Sequence, residues 1–84
     1  MRNNVIWSKD DYPFCVMAKQ LFDTHNFKYE VIDVYQNKEA FREEFPDAKT
    51  VPQIIYNGKK IGGYNELFRA FEDENIFTGG HSIV

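Results

Sequence analysis

Cys15 is the only cysteine of the chain, and it closes the run Ser8-Lys9-Asp10-Asp11-Tyr12-Pro13-Phe14-Cys15. A strand-like stretch leads into this run and a helix-like stretch leads out of it. A thiol at a strand-to-helix turn lies beside the positive end of a helix dipole, which favours the thiolate. The chemistry such a site can do is thiol exchange. Tyr12, however, occupies the position where a Cys-x-x-Cys motif carries its first sulfur. A phenol with a pKa of about 10 stays protonated at neutral pH and performs no two-electron thiol exchange. Cys15 also borders an apolar helix face, where burial raises a thiol pKa, and Asp10 and Asp11 oppose a further negative charge nearby. A reactive thiol and an inert, half-buried one are both open readings of Cys15.

The elements that must position this turn are legible in the pattern of residues. Val5-Ile6-Trp7 reads as a short buried strand. Pro13 suits the first position of a helix, where its missing N–H is not needed. Phe14, Met17, Ala18, Leu21 and Phe22 then recur at helical spacing, which predicts one core-facing stripe ending near His25-Asn26. Tyr29 to Val34 is β-rich, so the first third of the chain reads as a βαβ unit with parallel strands. Lys38 to Phe45 predicts a second short helix, stopped by Pro46. Pro52 to Tyr56 predicts a strand, Asn57-Gly58 a type I′ hairpin turn, and Lys59-Lys60-Ile61 the return strand. Gly62-Gly63 permits a tight passage into a last helix, with Tyr64, Leu67, Phe68 and Phe71 on one face. The stretch from Asp73 to Val84 reads as a loose tail, on which Ile76 and Phe77 are candidates to dock against the body.

The resulting order, β-α-β-α-β-β-α, predicts an α/β fold: one four-stranded mixed sheet with helices on both faces. Sites in such sheets form at the carboxyl ends of the parallel strands, and the turn holding Cys15 is at that end.

Composition narrows the function classes. A chain of 84 residues has room for one small core, and an aromatic fraction of 17% supplies enough large apolar surface to build it without staples. One cysteine excludes an internal disulfide framework and suits a reducing compartment. The net charge of −3 argues against nucleic acid, which needs a clustered cationic face. Lys59-Lys60 reads as a solvated turn. No apolar run approaches membrane-spanning length, and Asn3 to Ser8 is too short for a signal peptide. The expectation is a soluble, cytoplasmic monomer without nucleic-acid or membrane partners. His25 and His81 stand far apart and outside any ligand cluster, so no metal site is expected.

Three segments together resemble the glutaredoxin family, within the thioredoxin fold. Ser8-Lys9-x-x-Tyr12-Pro13-Phe14-Cys15-x-x-Ala18-Lys19 is similar to the family's active-site stretch, whose core is Cys-Pro-Tyr-Cys. Thr50-Val51-Pro52 is similar to its Thr-Val-Pro, whose proline is cis. Gly62-Gly63-Tyr64-Asn65-Glu66 is similar to its Gly-Gly-x-Asp-Asp segment. The resemblance implies a glutaredoxin-like domain over residues 1–73 followed by a tail over 74–84. It also implies glutathione as co-substrate. Val51 would pair with the tripeptide in strand fashion. Pro52, Thr50, Tyr12, Phe14 and Tyr64 would border it, and Gly63, Asn65 and Glu66 would receive its γ-glutamyl end. Lys9 would face its glycyl carboxylate, with Arg42 and Lys49 as further cations of unfixed facing. Asn65 stands where the family often has Asp, which removes one charge-assisted contact. Capping of the last helix is an alternative role for Asn65 and Glu66.

The departure at Tyr12 bears on mechanism. The family's first cysteine attacks and its second resolves, so Tyr12 removes dithiol exchange and argues against holding an iron–sulfur cluster. What remains is a glutathione-dependent thiol–disulfide oxidoreductase acting weakly, if at all, through Cys15. The alternative is a catalytically silent module that binds glutathione or a disulfide-containing protein such as a reductase.

Overall fold

The computed structural model describes residues 3–78, of which 74–78 by backbone alone. Its elements are β1 (Val5–Ser8), α1 (Pro13–Thr24), β2 (Glu30–Asp33), α2 (Lys38–Glu44), β3 (Gln53–Tyr56), β4 (Lys59–Gly62) and α3 (Tyr64–Thr78). The strands form one sheet in the order β2-β1-β3-β4. β1 and β2 run parallel across the α1 crossover, and β3 is antiparallel to both β1 and β4. This is the expected α/β architecture, and apart from the end of α3 its boundaries lie within a residue or two of those read from the sequence.

β1 is buried along its whole length because it is central and covered on both faces. Ile6 points to one side, where Ala18 and Phe22 of α1, Leu67 and Phe71 of α3, and Ile54 and Tyr56 of β3 close the larger core. Val5 and Trp7 point to the other side. There Phe41 of α2 and Phe45, its C-cap, pack on the Trp7 ring, with centroids 5.8 and 5.9 Å away. Alternation along a strand thus assigns α1 and α3 to one face of the sheet and α2 to the other.

The hairpin forms where expected: Asn57 and Gly58 both have positive φ, as a type I′ turn requires. Asn4 and Asn3 tie it to the start of β1 by accepting the Asn57 and Gly58 N–H groups at 2.9 and 2.8 Å.

Three local expectations need correction. The buried face of α1 is formed by Cys15, Ala18 and Phe22, whereas Phe14 and Met17 are exposed. The helix is rotated so that the small thiol, not the phenyl ring one residue before it, enters the core. On α3, Leu67 and Phe71 are buried but Phe68 is exposed. α3 also continues as helix past Asp73 to Thr78, so residues 74–78 are not a loose tail. Glu and Asn interrupt a helix little, and the sequence holds no strong breaker before Gly79-Gly80. The side chains of Ile76 and Phe77, and residues 79–84, lie outside the described residues.

Candidate functional site

Between β1 and α1 the chain makes a turn in which Asp11 takes a positive φ and the Tyr12 N–H reaches the Lys9 carbonyl at 3.4 Å. Tyr12 thereby becomes the N-cap of α1, and its carbonyl accepts the N–H groups of Cys15 and Val16. Tyr12 is left at the rim, half-buried, while Cys15 turns inward and is 0% exposed. The Lys9 N–H donates to Cys15 Sγ at 3.4 Å. Burial raises the Cys15 thiol above its ordinary value, outweighing the Lys9 N–H, the charges of Lys19 and Lys9 and the Ser8 side chain, all of which favour the thiolate. Burial, rather than the Asp10 and Asp11 carboxylates, leads the effect.

The Val51–Pro52 peptide is cis, and Pro52 is buried at the entrance to β3. Among the described residues, neither the N–H nor the carbonyl of Val51 makes a hydrogen bond. An extended ligand could therefore pair with it without displacing an internal partner. Thr50 beside it is exposed, and its carbonyl accepts the Gln53 side-chain amide at 3.0 Å.

The double-glycine bend closes the third side. Gly62 has a φ of +113°, and a Cβ there would come within 3.1 Å of the Glu66 side chain. Glu66 Oε1 accepts the Gly63 N–H at 2.8 Å, the Glu half of a capping box at the start of α3. The capping role foreseen for Glu66 is thus present, and Glu66 also borders the cavity next to it. A Cβ on Gly63 would stand 3.4 Å from the Pro52 carbonyl, so the bend lies directly against the cis-proline loop.

These three segments enclose a cavity of about 240 Å³ lined by Tyr12, Phe14, Thr50, Val51, Pro52, Gly63, Tyr64, Asn65 and Glu66. Every residue expected around glutathione except Lys9 is on this list of walls. Lys9 borders a second cavity of about 370 Å³, which shares Tyr12, Thr50 and Val51 with the first and adds Lys49, Tyr35 and Phe41. The two form one trough with Tyr12, Thr50 and Val51 at the waist. Of the cations left open by the sequence, Lys49 faces this trough and Arg42 borders neither cavity.

Tyr35 is the polar wall residue that sequence reasoning missed, beside the apolar Val34, Phe41 and Ala48. Asp33 Oδ1 accepts the Tyr35 and Gln36 N–H groups at 2.7 and 3.2 Å, and this Asx turn carries Tyr35 over the trough. The Lys9 ammonium lies 5.6 Å from the Tyr35 ring centroid and 5.8 Å from that of Tyr12. Tyr35, first as a hydrogen-bond partner and then through its charge, raises Lys9 above the ordinary lysine value. The signal available in the sequence was position alone, since Tyr35 directly follows the carboxyl end of a parallel strand. His25 is engaged elsewhere: Nδ1 lies 3.0 Å from the Leu21 carbonyl, and the ring packs on Phe71. His81 lies outside the described residues.

Comparison with known proteins converges on one family. Residues 4–61 match the glutaredoxin family profile. Glutaredoxin 1 of Rickettsia typhi is 36% identical over 76 residues, spanning 86% of this chain and 73% of the relative. Human mitochondrial glutaredoxin-2 is 34% identical over 84 residues, spanning 92% of this chain and 50% of the relative. Among solved structures, a buckwheat glutaredoxin–glutathione complex superposes with a TM-score of 0.75 at 26% identity, covering 89% of this chain and 73% of the other. Glutaredoxin 1 of Francisella tularensis, complexed with cacodylate, gives 0.68 at 32% identity, covering 89% and 96%. With over half of its length matched to one profile and its sheet shared with solved members, this protein belongs to the glutaredoxin family of thiol oxidoreductases and carries the thioredoxin fold.

Proposed function

We propose that this protein binds glutathione in the trough at the waist formed by Tyr12, Thr50 and Val51, and that thiol–disulfide exchange through Cys15 is slow or absent. The γ-glutamyl end of the tripeptide rests at the N-terminus of α3 beside Gly63, Tyr64 and Asn65, where the first helical N–H groups lack helical partners. The cysteinyl backbone pairs with Val51, and the glycyl carboxylate meets Lys9 and Lys49. Charge supports this orientation, since the cationic end of the trough takes the lone terminal carboxylate. The presence of a glutathione complex among the structural relatives supports the same ligand.

The observation that carries the reading is the active-site turn itself: a phenol stands at the rim, where an attacking thiol would be, and the chain's one thiol is fully buried. A thiolate must form and reach a disulfide sulfur to exchange, and here burial opposes both. This favours a glutathione-binding module over a weak monothiol enzyme. A disulfide-containing protein such as a reductase is a further candidate to dock at the same trough.

Two measurements test the reading. Calorimetry with reduced glutathione should show heat of binding, and its absence would remove both the module and the enzyme. Reduction of a glutathione mixed disulfide should run at the same low rate with the native chain and with Cys15→Ser. A native rate well above that of Cys15→Ser would restore the monothiol enzyme.

A further inference from the structure

The trough leaves the sulfur of a bound glutathione without a sulfur partner. With its backbone on Val51 as proposed above, the tripeptide would carry its cysteinyl side chain at the waist, which Tyr12 also borders. Cys15 is fully buried there, so the group presented to that sulfur is the Tyr12 side chain, which borders both cavities. The Cys15 and Val16 N–H groups are taken by the Tyr12 carbonyl, and Pro13 has none, which leaves the Phe14 N–H as the free donor at the helix end. The Tyr12 phenol, the Phe14 N–H at the N-terminus of α1 and the Lys9 ammonium, 5.8 Å from the Tyr12 ring centroid, are grouped at this end of the trough. Each of these favours a thiolate over a thiol. The exposed carboxylates of Asp10 and Asp11 flank the turn and oppose it, while Lys49 and Tyr35 border the same cavity as Tyr12.

We propose that the Tyr12 hydroxyl donates a hydrogen bond to the sulfur of bound glutathione and holds it as a thiolate competent to attack carbon electrophiles, which makes this trough a glutathione-conjugating site. The inference rests on glutathione binding as proposed above. The electrophile class follows from the surroundings of Tyr12. The Phe14 ring is 6.2 Å from the Tyr12 ring and 46% exposed, and it continues through Tyr64 at 6.3 Å to the exposed ring of Phe68. This aromatic ridge at the rim suits a flat, apolar, electron-poor ring. In the step itself the thiol proton passes to water and the sulfur lone pair forms a C–S bond to the ring carbon bearing a halide. The C–halogen bond then breaks and the halide leaves with its electron pair. The products are a thioether and a halide ion, and no oxidant or reductant is consumed.

The test is conjugation of reduced glutathione to chlorodinitrobenzene, with Tyr12→Phe as the variant, since it keeps the ring and removes only the hydroxyl. The native chain should exceed the uncatalysed rate. Tyr12→Phe should lower kcat by about tenfold or more, the scale of one hydrogen bond to a charged group, and should move the rise of the rate to higher pH. Calorimetric binding of glutathione with no conjugation above background would overturn the inference and leave the proposed function standing. So would a Tyr12→Phe rate and pH profile equal to the native ones. Absence of binding heat would overturn both.

Discussion

Tyr12 holds the rim position that a thiol-exchange motif gives its attacking sulfur, and Cys15 holds the buried one, and the cause is one of geometry. As N-cap of α1, position 12 lies at the rim of the trough, and position 15 is one turn into the helix on its core-facing side. The sequence placed the thiol at the helix end but could not weigh the dipole against burial, because that balance depends on how α1 is rotated against the sheet. Burial wins, and it carries a pH signature. The folded-state value of the thiol is raised. Stability tied to the protonated form is therefore fully present below the ordinary thiol value of about 8.5 and is lost as pH rises through the folded-state value. Urea titrations across this alkaline range should show native stability falling more steeply with pH than that of Cys15→Ser. Alkylation of native Cys15 by iodoacetamide should be slow at neutral pH and accelerate upon unfolding. Parallel stability curves and rapid native alkylation would show the thiol to be accessible and unperturbed.

At the level of elements, the order and extent of strands and helices were legible because each has a local cause: Pro13 at a helix start, Pro46 after a helix end, Asn57-Gly58 in a hairpin. The facing of α1 was not. Apolar periodicity counts Phe14 and Met17 as core residues, yet both are exposed, and the Phe14 ring borders the trough between Tyr12 and Tyr64. A ridge of rings around a binding groove carries the same residue types and spacing as a core stripe. The two readings differ energetically. Phe22→Ala, at a fully buried ring packed on Tyr29 and Phe71, should cost about 3–5 kcal/mol. Met17→Ala, at a side chain 38% exposed, should cost about 1 kcal/mol or less. Urea unfolding of both variants checks this, and equal losses would place Met17 back in the core. The cap between Glu66 and Gly63 was foreseeable from the spacing of a capping box, but its closeness to the cis-proline carbonyl was not, since that contact joins elements distant in sequence.

For the molecule as a whole, the trough exists because the β1–α1 turn, the loop before β3 and the bend before α3 meet at one end of the sheet. All three could be placed from the residues, whereas a fourth segment, the Asx turn after β2 that presents Tyr35, needed coordinates. The central claim is that backbone and cations at this end bind glutathione independently of the buried thiol. The most direct measurement is an amide-resolved NMR titration of Cys15→Ser with reduced glutathione. The account predicts saturable shifts at Lys9, Val51, Gly63 and Asn65, with α2 residues such as Arg42 undisturbed. An unchanged spectrum, or shifts confined to the α2 face, would contradict it.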